Sequence, residues 1–121
     1  MSNDENPKRY DLEDRTLAFA KAARSFVKVL SMTLSNMEDA KQFVRASGSI
    51  GANYIEANEA LGKKDFLMKI KTCRREAKEC RYWLHLIDAE DRLAVSRDNL
   101  VKEADELMKI FGSILRKSEE P

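Results

Sequence analysis

One histidine, two cysteines and scattered carboxylates are the groups through which this 121-residue chain could do chemistry. A di-iron helical bundle needs Glu-x-x-His pairs with further inward carboxylates. The residue three before His85 is Tyr82, so that motif fails. Glu56 with Glu59, and Glu103 with Glu106, have the spacing of paired carboxylates but no histidine beside them. On charged helices they read as solvated side chains. Cys73 and Cys80 are seven residues apart, which on a helix is ~10 Å. A disulfide needs Cα atoms within ~7 Å, so the pair reads as small core residues of a reduced protein. There is no second cysteine or histidine cluster for zinc. Gly62-Lys63-Lys64 lacks the upstream glycine and the following Ser/Thr of a phosphate-binding loop. Ser47 and Ser49 lack the Gly-x-Ser-x-Gly elbow of a nucleophile. No catalytic residue, metal ligand or cofactor is expected, and the chain does not read as an enzyme.

Basic residues offer a different chemistry. The whole chain carries a net charge of +1, but residues 63–81 hold eight basic against three acidic side chains. Lys64, Lys71, Arg75 and Lys78 fall on one face of a helix there, with Arg74 and Arg81 on an adjacent one. One reading is a solvated helix face. The sharper one is a phosphate-binding stripe, which would hold nucleic-acid backbones without reading their sequence.

These groups must be positioned by helices. The composition is 43% hydrophobic and 36% charged, and both prolines, Pro7 and Pro121, lie near the ends. Such a chain favours long helices. Asp11 is the expected cap of a first helix whose seam is Leu12, Thr16, Phe19, Ala23, Phe26 and Leu30, widened by Leu17, Ala20 and Val27. Ser35-Asn36-Met37-Glu38 has the form of a capping box opening a second helix. Its three/four spacing runs through Met37, Ala40, Val44, Ser47, Gly51, Tyr54, Asn58 and Leu61, and Gly62 is the expected terminator. The third seam is Phe66, Ile70, Cys73, Ala77, Cys80, Leu84 and Ile87. The fourth, with Ser96 as cap, is Leu100, Ala104, Leu107, Phe111 and Ile114. The expected fold is an all-α, up-down antiparallel four-helix bundle over residues 11–117, with disordered tails at 1–10 and 118–121. No signal peptide and no run of ~18 apolar residues is seen, so a cytoplasmic protein without membrane contact is expected.

Two of the four glycines fall inside the second helix, in Ser47-Gly48-Ser49-Ile50-Gly51-Ala52-Asn53-Tyr54. A glycine in a helix interior costs roughly 1 kcal/mol relative to alanine. Ser47 with Gly51, and Gly48 with Ala52, lie one turn apart on a shared face. Ser47, Gly48, Gly51, Ala52 and Tyr54 therefore read as a close-packing notch, facing either the bundle's own core or a neighbouring subunit.

The same block, Arg45-Ala46-Ser47-Gly48-Ser49-Ile50-Gly51-Ala52-Asn53-Tyr54-Ile55-Glu56-Ala57, resembles a signature of the four-helix-bundle family encoded by intervening sequences in 23S rRNA genes, often labelled ribosomal. So do Asp11-Leu12-Glu13-Asp14-Arg15-Thr16, Lys64-Asp65-Phe66, and the stretch from Glu76-Ala77-Lys78-Glu79 to Tyr82-Trp83-Leu84. The resemblance covers roughly residues 10–115. It implies a ring-forming homo-oligomer, with a pentamer favoured. The fold is also similar to the accessory variability protein of diversity-generating retroelements, a pentamer that binds nucleic acid and a reverse transcriptase. The expected activity is therefore non-enzymatic binding of RNA or DNA through the basic face of the third helix. The alternative is a protein-interaction module, an adaptor that binds another protein and no nucleic acid.

Overall fold

A proline in the first turn of a helix loses no hydrogen bond, because the N–H it lacks would have no partner there. Pro7 accordingly stands at the start of α1 (Pro7–Lys28). The computed structural model describes residues 7–119, with side chains described for 12–118. Asp11, expected to cap this helix, lies inside it. Three further helices follow: α2 (Leu34–Asn58), α3 (Lys63–Leu86) and α4 (Ala94–Glu119), the last opened by a 3₁₀ turn at Asp91–Leu93. Ser96, the expected cap of α4, is therefore also inside its helix. Of the expected tails, residues 7–10 and 118–119 are helical, and residues 1–6 and 120–121 lie outside the described residues.

Short connections make consecutive helices antiparallel neighbours. Contacts run α1 to α2, α2 to α3 and α3 to α4, while α1 meets α4 only sparsely. The result is the expected all-α four-helix bundle, with α2 and α3 as its central pair. Between α1 and α4 lies a shallow groove of small side chains, Ala18, Ala22 and Ser25 among them. It is bounded at one end by a two-bond fork from Arg15 to Glu103 at 2.6 and 2.9 Å.

Every residue of the first seam, Leu12 through Leu30, is buried. Leu17, expected to widen it, points to solvent. The third and fourth seams are buried from Ile70 to Ile87 and from Leu100 to Phe111. The second seam is buried as expected at Ala40, Ser47 and Tyr54, but its alternate positions lie one residue earlier than expected. Its buried positions are Asn36, Ala40, Phe43, Ala46, Ser47, Ile50, Tyr54 and Ala57, whereas Met37 and Leu61 are exposed. The cause is that α2 is apolar on two faces, so two overlapping heptads compete and only packing chooses between them.

Thr33 rather than Ser35 caps α2, its Oγ1 accepting the Asn36 N–H at 3.2 Å. That frees the Asn36 side chain for the bundle end. Its Nδ2 donates to the carbonyls of Ser31 and Asp88 at 2.9 Å, and its Oδ1 accepts the Asp88 N–H at 3.0 Å. One buried amide thus joins the α1–α2 loop to the α3–α4 loop. At the other end, α2 stops at Asn58, and Gly62 sits in extended backbone (φ −152°, ψ 169°) as the residue before α3.

Gly51 belongs to the contact between α1 and α2. A Cβ there would lie 2.9 Å from Thr16 Oγ1 and 3.3 Å from Thr16 Cβ. The Thr16 hydroxyl is turned back onto the Leu12 carbonyl at 2.7 Å, which suits its burial. At Gly48 a Cβ would meet the Arg24 guanidinium at 3.3 Å, and Ala52 is exposed. Ser47 is buried, donating to the Val44 carbonyl at 2.9 Å and accepting from Arg24 at 3.4 Å. Tyr54 reaches across to Phe111 of α4, with ring centroids 5.8 Å apart.

Four outcomes are expected. Gly51→Ala should lose about 1–3 kcal/mol in chemical denaturation through overpacking against Thr16. In a Thr16→Ala background the loss should shrink, because the hydroxyl oxygen that the new Cβ would meet at 2.9 Å is gone. Asn36→Ala should cost about 2–3 kcal/mol, since three hydrogen bonds vanish and Asp88 backbone groups are left unpaired. Burial pushes the Cys73 thiol up to about 12, and burial raises Cys80 as well. A thiol reagent at pH 8 should therefore label neither cysteine in folded protein and both in denaturant.

Candidate nucleic-acid interface

The basic residues of α3 do not act as one uniform stripe, because α3 has a neighbour on each side. Toward α2 it presents Glu76 and Glu79. Glu76 is only 5% exposed. A carboxylate so buried needs a partner, and Arg45 of α2 reaches its two oxygens at 3.3 and 3.4 Å and Glu79 at 3.2 Å. The hydrogen bond to Glu76 holds the Arg45 guanidinium above its ordinary range. Arg75 stands on the far side of Glu76 at 3.7 Å. The charge count of α3 gave no sign of this pairing. The signal was available in spacing, since Glu76 sits between Cys73 and Cys80 on an otherwise small, apolar face.

Toward α4 the helix presents cations. A groove of about 890 Å³ between α3 and α4 is lined by Lys71, Arg74, Arg75 and Lys78 from one side and by Lys109 and Arg116 from the other. No acidic residue lines it. Four of the six expected contacts therefore converge. Lys64 is exposed one helical repeat beyond the groove and does not line it. Arg81 is tied to Asp105 of α4 at 2.7 Å, so its charge serves to join the two helices. Asp105 also holds Lys109 at 3.1 Å. Its hydrogen bond to Lys109, reinforced by the Arg81 charge, keeps its carboxyl below the usual range. Lys71, Arg74, Lys78 and Arg116 have no ion pair among the described residues.

Lys109 and Arg116 are the residues that sequence reasoning left out of the site. Arg116 by itself suits the negative end of the α4 dipole, and nothing local says that it or Lys109 faces α3. Gly112 stands between them, and a Cβ there would lie 3.8 Å from Arg74 Cδ and 3.6 Å from an Arg116 guanidinium nitrogen. Both arginines thus lie over the glycine.

Several of the polar groups first considered for catalysis are spent on structure. Glu56 binds Lys69 at 2.7 Å and Glu103 binds Arg15, so neither is merely solvated. Asn53 donates to the Ser49 carbonyl and hydroxyl at 2.9 and 3.0 Å. Cys73 Sγ donates to the Ile50 carbonyl. Among the described residues, no group of histidines, cysteines and carboxylates is placed to hold a metal ion. None of their helices is long and apolar enough to cross a membrane.

Comparison with known proteins agrees with this architecture. A crystal structure at 1.70 Å resolution is similar to this chain: that of a protein of unknown function from the S23 ribosomal protein family of Bacteroides thetaiotaomicron VPI-5482. The two are 28% identical, the match covers 85% of this chain and 96% of that one, and the TM-score is 0.68. No match is found among curated proteins. The model of one family, described as 23S rRNA-intervening sequence protein, matches residues 12–113. The chain belongs to that family.

Proposed function

We propose that this protein is a non-catalytic, homo-oligomeric bundle that binds nucleic acid through the α3–α4 groove. The convergence of six cations from two helices on one groove without an acidic lining carries the reading. Clustered lysines and arginines neutralise phosphates and release their counterions, which gives affinity without base recognition. The family description names 23S rRNA, which makes structured RNA the first ligand to test.

A homo-oligomer is supported by a different surface. The outer side of the α1–α2 pair exposes Leu17 and Ile55 beside Gly48 and Ala52, and Met37 with Met32 nearer the start of α2, each of the four large side chains more than two-fifths accessible. A helix that is apolar on two faces is ordinarily covered on both. A second copy of the chain is the proposed cover, and the pentamer implied by the sequence resemblance is the size to look for. The same face would serve the alternative, an adaptor that docks another protein.

Fluorescence anisotropy with a structured RNA should show affinity falling about 10³-fold between 50 and 200 mM salt, the scale for six phosphate contacts. The Lys71→Glu, Lys78→Glu, Arg116→Glu triple variant should abolish binding while keeping its helical circular dichroism. Undetectable binding at ~50 mM salt refutes the groove and favours the adaptor, whereas binding indifferent to that variant refutes the groove alone. In light scattering, Leu17→Glu with Ile55→Glu should reduce the mass to that of one chain. An unchanged mass refutes the α1–α2 interface.

A further inference from the structure

Granting that the groove binds phosphates, its lining says which form of nucleic acid suits it. The register of α3 on α4 is set by the Arg81–Asp105 pair and by Arg74 lying over Gly112. In the antiparallel arrangement this puts Lys78 across from Lys109, and Lys71 across from Arg116. Arg74 and Arg75 fall between these two facing pairs. Each row spans seven residues, about 10 Å of helix. The rows are one interhelical spacing apart, about 8–10 Å.

Thr72, Met108 and Gly112 complete the lining between the rows, with the exposed Met68 at the end beyond Lys71. The lining offers no aromatic ring and no carboxamide. The Thr72 hydroxyl is turned back onto the Met68 carbonyl at 3.1 Å. The aromatic residues of α3 are elsewhere: Tyr82 and Trp83 meet edge to face with centroids 5.2 Å apart, and neither lines the groove. Phe111 of α4 is wholly in the core. Proteins that hold single strands gain much of their affinity by stacking bases on aromatic side chains. This groove has no surface for that. It also lacks the amide side chains that read adenine edges.

What remains is charge laid out in two short parallel rows. A double helix presents phosphates already ordered on a stiff frame, at one charge per ~1.7 Å of axis against ~3.4 Å for each strand alone. A flexible strand would have to be ordered by those cations alone, without stacking to offset the entropy lost. We propose that the α3–α4 groove binds the phosphate backbone of double-helical nucleic acid in preference to single strands, without regard to base sequence.

The test uses the full chain and three labelled probes at ~50 mM salt: an RNA duplex, a DNA duplex of the same sequence, and an unstructured single strand with the same number of phosphates. At least one duplex should bind tenfold or more tighter than the single strand, roughly the effect of losing the denser phosphate array. The ratio between the RNA and DNA duplexes then identifies the source of the backbone. Shuffling the duplex sequence should leave affinity within about threefold. The duplex preference should vanish in the Lys71→Glu, Lys78→Glu, Arg116→Glu variant. A single strand that binds as tightly as the duplexes, with the same salt dependence and the same loss in the variant, overturns the duplex preference and leaves the groove standing. A preference that survives in the variant, or an affinity that follows base sequence, overturns it as well. Failure of all three probes to bind removes the groove and this inference together.

Discussion

The distance between α1 and α2 depends on a single hydrogen atom. With a methyl group at position 51, the Thr16 side chain would be met at 2.9 Å, inside any normal contact. With glycine there, α1 settles against α2 and buries the whole seam from Leu12 to Leu30. This matters more than it would in a symmetric bundle, because α1 meets α4 only sparsely and relies on α2 for its core contacts. The helix penalty of glycine, roughly 1 kcal/mol, is small against the several buried side chains that its absence of bulk admits. Gly48, one turn back, has a different situation. Its space opens toward Arg24 and the surface, so the two glycines share a motif without sharing a role.

Charge on α3 is sorted by neighbour. Glu76 and Glu79 turn to α2 and are met by Arg45, while Lys71, Arg74 and Lys78 turn to α4. The sorting has an energetic logic. A buried carboxylate without a partner would be costly, and Arg45 satisfies it from the neighbouring helix with only Arg75 drawn from the α3 cations. Arg75 stands between both sets, close to Glu76 and also at the edge of the groove. On α4, Asp105 performs a similar division, taking Arg81 as an interhelical tie and steadying Lys109 at the groove's end. Four of the cations that line the groove, Lys71, Arg74, Lys78 and Arg116, are those left without an ion pair among the described residues once the helices have been joined.

How much of this was legible in the sequence follows from how many neighbours each residue needs to be understood. The seams of α1, α3 and α4 were readable because each of those helices has one dominant apolar stripe. In α2, Met37, Val44 and Gly51 compete with Phe43, Ile50 and Ala57 for the same reading, and the alternate positions of the seam were off by one residue. The caps at Asp11 and Ser96 failed because their helices begin earlier, at Pro7 and Ala94. At α2, Ser35 is the better cap by type, and Thr33 takes the place while the Asn36 side chain reaches Asp88, fifty-two residues away. The groove was half legible. Its α3 half is a local pattern, but Lys109 and Arg116 join it only through the α3–α4 register. Arg81 left it for the same reason, since its partner Asp105 is on another helix.

The two proposed surfaces lie on opposite sides of the bundle, and this bears on how they would work together. Going round the bundle in the order α1, α2, α3, α4, the outer face of α1 with α2 is as far as possible from the groove of α3 with α4. Copies joined through the apolar α1–α2 face would leave every cationic groove open. Each added copy then contributes one groove, and grooves linked in one assembly act on a long phosphate backbone at high effective concentration. A shallow groove that is weak in a single copy can in this way hold a ligand firmly, with a salt dependence steeper than six cations would give. The same geometry separates the faults of mutants. Loss of the apolar face should weaken binding by removing multivalency while each groove stays intact, whereas loss of the cations should empty the grooves of an assembly that still forms.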